Sequence, residues 1–267
     1  ELQRVFGYTR EDIQILIEPM ANTGSEPIGS MGNDAPLAVL SDHPQLMYNY
    51  FKQLFAQVTN PPLDAIREEL VTSLQVTLGS EQNLFDETPA HARQLKLASP
   101  ILTTRELDQI KHLNQPGLKA TTLKAHFNAN GKDGELENGI NHLCANASDA
   151  IASGYTILIL SDRGVDRNSA PIPSLLAMAA VHHHLIREGT RTKVGLISES
   201  GEPREVAHFA LLIGYGAGAI NPYLAYATLA DLRQIETENK PEVVESNYTK
   251  AINKGLLKII SKMGIST

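Results

Sequence analysis

The second half of the chain alternates short apolar runs with longer amphipathic stretches. Thr121–Phe127 places Leu123, Ala125 and Phe127 on one face, the period-two pattern of a strand. The polar loop Asn128–Gly134 follows. Glu135–Ser153 carries Leu136, Ile140, Leu143, Cys144, Ala147 and Ile151 on one helical face and stops at Gly154, a favoured C-terminal cap. Thr156–Leu160 (TILIL) is a continuous apolar run, as a strand buried on both faces requires. After the polar loop Ser161–Ser169, Pro173 opens a helix that reaches Glu188 and closes at Gly189. Lys193–Ile197 reads as another buried strand. Pro203 sits in the first turn of a helix to Ile213, with Val206, Phe209, Ala210 and Ile213 inward, and Ala219–Asn221 is a last short strand. This β-α-β-α-β-α-β order with short connections requires parallel strands and right-handed crossovers. An open doubly wound sheet and a (β/α) barrel both satisfy it.

The first hundred residues are less regular. Glu18–Asp34 is dense in Gly, Pro, Asn and Ser and reads as a long loop. Ser41 or Asp42 is positioned to cap a helix through Gln57, with Leu46, Tyr50 and Leu54 on one face and Met47, Phe51 and Phe55 beside them. Pro61 and Pro62 force an extended turn, after which Leu63, Ile66 and Leu70 begin an amphipathic helix. Residues 234–247 are charged and poorly patterned, as in a linker or surface loop, and Tyr248–Met263 is a closing helix.

Composition narrows the function classes. The 267 residues, 42% of them hydrophobic, suffice for one large α/β domain or two small ones. A formal charge of −7 leaves no basic field for nucleic acid or an anionic membrane surface. No apolar run approaches the ~18 residues of a membrane span. The single cysteine, Cys144, can form no disulfide within the chain and lies on an apolar helix face, where a thiol behaves as a small hydrophobe. A reducing compartment is expected, the cytoplasm, or the plastid stroma if the chain comes from a plant. The chain opens on Glu1 rather than Met, so an excised fragment is expected.

In parallel α/β folds, sites collect at the carboxyl ends of strands. Ser161–Asp162–Arg163, Ser198–Glu199–Ser200 and Asn221 occupy such positions. Asp162 and Glu199 could act as a paired acid and base or hold magnesium; the competing reading pairs them with Arg163 and Arg204 as loop-fixing ion pairs. His182, His183 and His184 point ~100° apart on a helix, which is the wrong spacing for a shared metal, and His182 falls on the apolar stripe of Leu175, Met178 and Leu185. Gly214, Gly216 and Gly218 follow a helix and precede a strand, the reverse of a phosphate loop, and read as a helix cap. Lys250, Lys254, Lys258 and Lys262 recur every fourth residue, as a solvated face or a docking stripe.

Six segments in order, EPMANTGSEPIGSMGNDAPLAVLSD, FAQVTNPPLDAIREELV, LSDRG, APIPSLLAMAAVHHHLIR, ESGEPREVAHFALLIGYGAGAINPYLA and NYTKAINKGLLKIISKMGIST, resemble the central domain of glutamate synthase. They run from residue 18 to residue 267. The resemblance implies a degenerate (β/α) TIM-barrel-like domain, cofactor-free, over residues 1–246. Of this, residues 1–100 would form an irregular loop-and-helix part and 119–232 the βα repeats. Residues 247–267 would begin the connection to the synthase domain. It further implies a parent enzyme that makes glutamate from glutamine and 2-oxoglutarate, with FMN and a 3Fe–4S cluster held outside this chain. The partners implied are the amidotransferase and FMN synthase domains of the same polypeptide, with an ammonia route alongside. Catalytic, cofactor and metal residues are expected to be absent here. Candidate interdomain or tunnel-facing residues are Met20, Asn22, Ser30 and Met31 in the long loop, Thr59 and Asn60 before the double proline, and Asp162, Arg163, Glu199 and Arg204. The family pattern leads one to expect a second histidine where Ala207 stands. The alternative is a self-standing barrel enzyme or flavin/phosphate binder whose Asp162, Arg163, Glu199 and Arg204 share one pocket.

Overall fold

The computed structural model describes residues 1–28, 36–52, 63–232 and 241–265. The helices are α1 (Leu2–Val5), α2 (Glu18–Thr23), α3 (Ala65–Val71), α4 (Thr104–Lys111), α5 (Glu135–Ala152), α6 (Ser174–Arg187), α7 (Val206–Gly214), α8 (Tyr223–Asp231) and α9 (Pro241–Met263). The strands are β1 (Val76–Leu78), β2 (Leu95–Leu97), β3 (Asn114–Gln115), β4 (Leu118–Lys124), β5 (His126–Asn128), β6 (Ile157–Ser161), β7 (Ser169–Pro171), β8 (Gly195–Glu199) and β9 (Ala219–Asn221). Two compact units result. One comprises Glu1–Leu74, Pro203–Leu211 and Leu224–Thr267; the other comprises Gln75–Glu202 and Leu212–Tyr223.

The Gln75–Glu202 unit is built on a sheet of order β3-β4-β6-β8-β9, in which β4, β6, β8 and β9 are parallel and β3 pairs antiparallel with β4. The register sets Ala120 beside Ile157, Leu158 beside Leu196 and Ile197 beside Ala219. All residues of β6, β8 and β9 are buried, which is why their sequences read as unbroken apolar runs. The parallel strands follow chain order without the reversal that marks a doubly wound sheet, so the winding is that of a barrel segment. The parallel βα-repeat reading of the sequence therefore holds. The sheet is open among the described residues.

Two devices fill the face that a barrel would close around. Pro100–Leu102 runs beside β9, with the Leu102 N–H donating to Ile220 O at 2.8 Å and the Ile220 N–H to Pro100 O at 2.7 Å. From that edge the chain must reach β4 at the far side, and α4 makes the crossing. Leu107 and Ile110 of α4, with Leu102 and Leu78, pack on Ile157, Ile159, Ile197 and Ala219. A Thr103–Glu106 capping box fixes the start of α4. By strand alternation Leu158, Leu160 and Leu196 turn to the opposite face, which α5 and α6 cover. Cys144 is buried on the inner face of α5 beside Leu143 and Ala147.

The glycine run after α7 is a cap, as its position implies. The Gly216 N–H donates to Ile213 O and the Ala217 N–H to Leu212 O, both at 3.0 Å, and Gly216 has φ 110°. A side chain at Gly216 would run into the His182 ring, and one at Gly218 into Leu78.

The other unit differs more from the sequence reading. Glu18–Asp34 is not wholly loop. A wide helical turn, Asp12–Ile17, runs into α2, which ends at Gly24 with φ 64°. Ile17, Met20 and Ala21 form its buried stripe, a short signal hidden among turn-forming residues. The helix expected from Ser41 to Gln57 is replaced by short 3-10 turns at Ala38–Leu40 and Met47–Phe51, and residues 53–62 lie outside the described residues. Pro44 disfavours a helical His43, which breaks any run from Ser41. The last helix begins at Pro241 rather than Tyr248, with proline in the first turn where its missing N–H is harmless. Val244, Tyr248, Ala251, Ile252 and Leu256 are the buried face of α9, which packs on α2, and Asn247 Nδ2 donates to Ala21 O at 3.0 Å. Lys250, Lys254, Lys258 and Lys262 are exposed, and Lys258 pairs with Glu26 at 2.6 Å.

Gly216→Ala should destabilise the protein by about 1–3 kcal/mol, because alanine is strained at this φ and its Cβ meets His182. Urea denaturation measures this, and an unchanged midpoint would contradict the packing described.

Candidate functional site

At the carboxyl ends of β6 and β8, Glu199 lies with a side chain 2% exposed. Both of its oxygens accept from Lys111 Nζ at 2.8 Å, and Oε1 accepts from Arg163 Nε at 2.5 Å. Burial would raise its pKa, but hydrogen bonds from Lys111, Ser161 and Arg163 outweigh this and hold it below the ordinary carboxylate value. Arg163 also stacks over the Tyr223 ring at 3.9 Å.

Asp162, one residue past β6, faces a different set. It accepts from Ser200 Oγ at 2.5 Å, from the Gly201 N–H at 3.1 Å and from the Tyr223 hydroxyl. Among the described residues no cation pairs with it. Burial dominates and pushes its pKa up to about 7, with the donors pulling it back and Glu202 adding repulsion. Glu202 serves as a remote cap for α6. Its Oε2 accepts from the Ser174 N–H at 2.8 Å and from Ser174 Oγ at 2.6 Å, at a helix start where Pro173 offers no side-chain cap. The void among Asp162, Ser174, Ser198, Glu199 and Ser200 is about 10 Å³, room for one water.

Arg204 belongs to the other unit. Its Nε lies 3.1 Å from Asp12 Oδ2, Nη1 donates to Phe6 O at 3.1 Å and Nη2 to Gly7 O at 2.8 Å. Its guanidinium sits over Tyr8, and the Tyr248 hydroxyl donates to its carbonyl. Nearby, His208 stacks on Tyr48 with ring centroids 4.2 Å apart. Its Nδ1 accepts from the Arg204 N–H, and its Nε2 lies 3.0 Å from Glu205 Oε1; this pattern assigns the neutral Nε2–H form. Burial keeps the His208 pKa below its usual value, although Glu205 pulls it up. The hydrogen bond from the His208 Nε2–H, helped by the charges of Lys52 and Arg204, holds Glu205 down at about 2 despite burial. These groups floor a cleft of about 450 Å³ rimmed by Arg4, Thr9, Asn49 and Lys52.

Of the residues named from sequence, Asp162, Arg163 and Glu199 meet, whereas Arg204 is engaged elsewhere. Met20 is buried in α2 and Asn22 is exposed; Ser30, Met31, Thr59 and Asn60 lie outside the described residues. Sequence reasoning missed Lys111, Tyr223, Glu202 and the Asp12–Glu205–His208 set. Tyr223 stands two residues past the end of β9, a usable signal; Lys111 gives none, because nothing local shows that α4 delivers it to β8. His182 accepts from Arg191 Nε at 2.9 Å, and no cluster of three metal-ligating side chains occurs among the described residues. The strand-end void does not fit FMN, since cofactor sites run to about 300–1,000 Å³. One buried cysteine cannot ligate an iron–sulfur cluster.

Residues 1–267 match the family described as Glutamate synthase central domain. The chain belongs to this family. The large chain of NADPH glutamate synthase from Bacillus subtilis is 50% identical over 99% of this chain. NADH glutamate synthase from Schizosaccharomyces pombe is 45% identical over 98%, and ferredoxin-dependent glutamate synthase 1 from Arabidopsis thaliana 42% over 99%. The domain spans only 13–17% of the length of these relatives. Among solved structures, a flavocytochrome b2 mutant with pyruvate bound covers 71% of this chain and is covered over 41% of its own, with 14% identity and a TM-score of 0.39, too loose a likeness to argue from. No described helix of this central domain is long and apolar enough to cross a membrane.

Asp162 binds its proton more tightly folded than unfolded, so its contribution is full below about pH 4 and is lost as pH rises through about 7. Between pH 5 and 8 the protein should lose roughly 1–3 kcal/mol more stability than Asp162→Asn. Urea titrations at the two pH values measure this, and parallel losses would show that Asp162 titrates normally.

Proposed function

We propose that this chain is the non-catalytic central domain of a glutamate synthase polypeptide, joining the amidotransferase and FMN synthase domains and bordering the ammonia route. In that enzyme, ammonia released from glutamine reaches 2-oxoglutarate and forms glutamate. The observation that carries the reading is the closure of the strand ends. Where a parallel α/β enzyme keeps its pocket, this domain has an ion-paired glutamate, a hydrogen-bonded aspartate and space for one water. Membership of the central-domain family and the 13–17% share of the relatives' length support it. FMN and the 3Fe–4S cluster would then be held by other parts of the polypeptide.

The self-standing enzyme requires Asp162, Arg163, Glu199 and Arg204 in one pocket, and loses its basis because Arg204 is engaged with Asp12, Phe6 and Gly7. Titrating the purified chain with FMN should give no saturable fluorescence quenching at high micromolar protein. Stoichiometric quenching would establish a flavin site here and overturn the reading.

A further inference from the structure

The connection between β1 and β2 ends in a tight turn, Asn83-Leu84-Phe85-Asp86. The Asp86 N–H donates to Asn83 O at 3.0 Å, closing the turn, and the Phe85 N–H donates to Asn83 Oδ1 at 3.1 Å. Asn83 Nδ2 donates to Asp86 Oδ2 at 2.9 Å, and His91 Nε2 lies 2.7 Å from Asp86 O. The root is held as well, by the Glu81 N–H on Thr192 O at 2.8 Å. Asparagine and aspartate at the turn's ends are what such a turn favours. Its two corner positions, normally polar or glycine, hold leucine and phenylalanine. Leu84 is 89% and Phe85 95% exposed.

The fold of this unit does not bury them, although an aromatic side chain alone can bury roughly 150–250 Å². The turn is also ordered in advance, so little further entropy is lost on docking. We propose that Leu84 and Phe85 anchor this domain in an apolar pocket on the part of the synthase polypeptide outside residues 1–267, a proposal that rests on the central-domain reading. A second copy of the chain is the poorer occupant. The tip carries exposed Glu81, Asp86 and Glu87, so two tips repel. Neither cavity described above offers an apolar receptor: one is lined mainly by charged and polar groups, the other admits one water. The acidic tip calls for a receptor with a basic rim. The relatives carry several times this chain's length in which to supply it.

Hydroxyl-radical footprinting of the full-length polypeptide tests the docking. Phe85 should oxidise about tenfold more slowly than in the denatured protein, as for a residue at an interface centre. In Phe85→Asp, the receptor segment outside residues 1–267 should gain oxidation while Cys144 stays unreactive to thiol reagents, showing that its own unit remains folded. Oxidation of Phe85 at the denatured rate would overturn the proposal. Protection that vanishes on dilution would overturn it in favour of a second copy. The FMN titration is independent of both readouts, so failure here leaves the central-domain reading standing.

Discussion

The buried carboxylate of Glu199 is the interaction on which the strand-end architecture depends. It lies at the end of β8, its partners come from the last turn of α4 and the loop after β6, and it accepts from both cations at once. A carboxylate buried to this degree is costly unless paired and hydrogen-bonded. Its presence therefore dictates where Lys111 and Arg163 must be. Lys111 in turn fixes the end of the helix that crosses the sheet, and Arg163 fixes the ring of Tyr223 beneath it. The strand ends, where a barrel has its mouth, form a polar lock.

The same logic explains the contrast with Asp162. Two carboxylates a short distance apart in the register meet opposite environments. Glu199 has cations and stays ionised, whereas Asp162 has only neutral donors and holds its proton to about pH 7. Divergent carboxylates in a parallel α/β protein suggest an acid and a base. Here they share a void fit for one water, and both are occupied by the protein itself. In the other unit Arg204 pairs with Asp12, and Glu205 lies beside Lys52 and His208.

The parallel repeat was legible because β6 and β8 are buried on both faces and α5 and α6 carry clean helical stripes with glycine stops. β8 lies two residues later than its apolar run, since Ser198 and Glu199 extend the strand while being polar. The strand-end residues were legible as a group, but their partners were not. Lys111 arrives through a crossover that only the pairing of Pro100–Leu102 with β9 reveals. Met20 was hidden in a segment whose glycines and prolines spoke for loop, while Ile17, Met20 and Ala21 needed only two turns of helix to be buried. The helix read over Ser41–Gln57 failed because Pro44 and short 3-10 turns, with fewer residues per turn, override a plausible apolar stripe.

A lock and an active site part company when Glu199 is made neutral in the full-length polypeptide. Glu199→Gln leaves two cations without their counter-charge and should cost about 2–4 kcal/mol, less than a wholly buried pair because Lys111 and Arg163 reach solvent. At temperatures where the variant stays folded, the glutamate formation proposed for that polypeptide, from glutamine and from added ammonia, should keep kcat within about twofold, since no transition-state contact is removed. A variant that melts like the parent yet loses kcat by orders of magnitude would place Glu199 in catalysis and contradict the account.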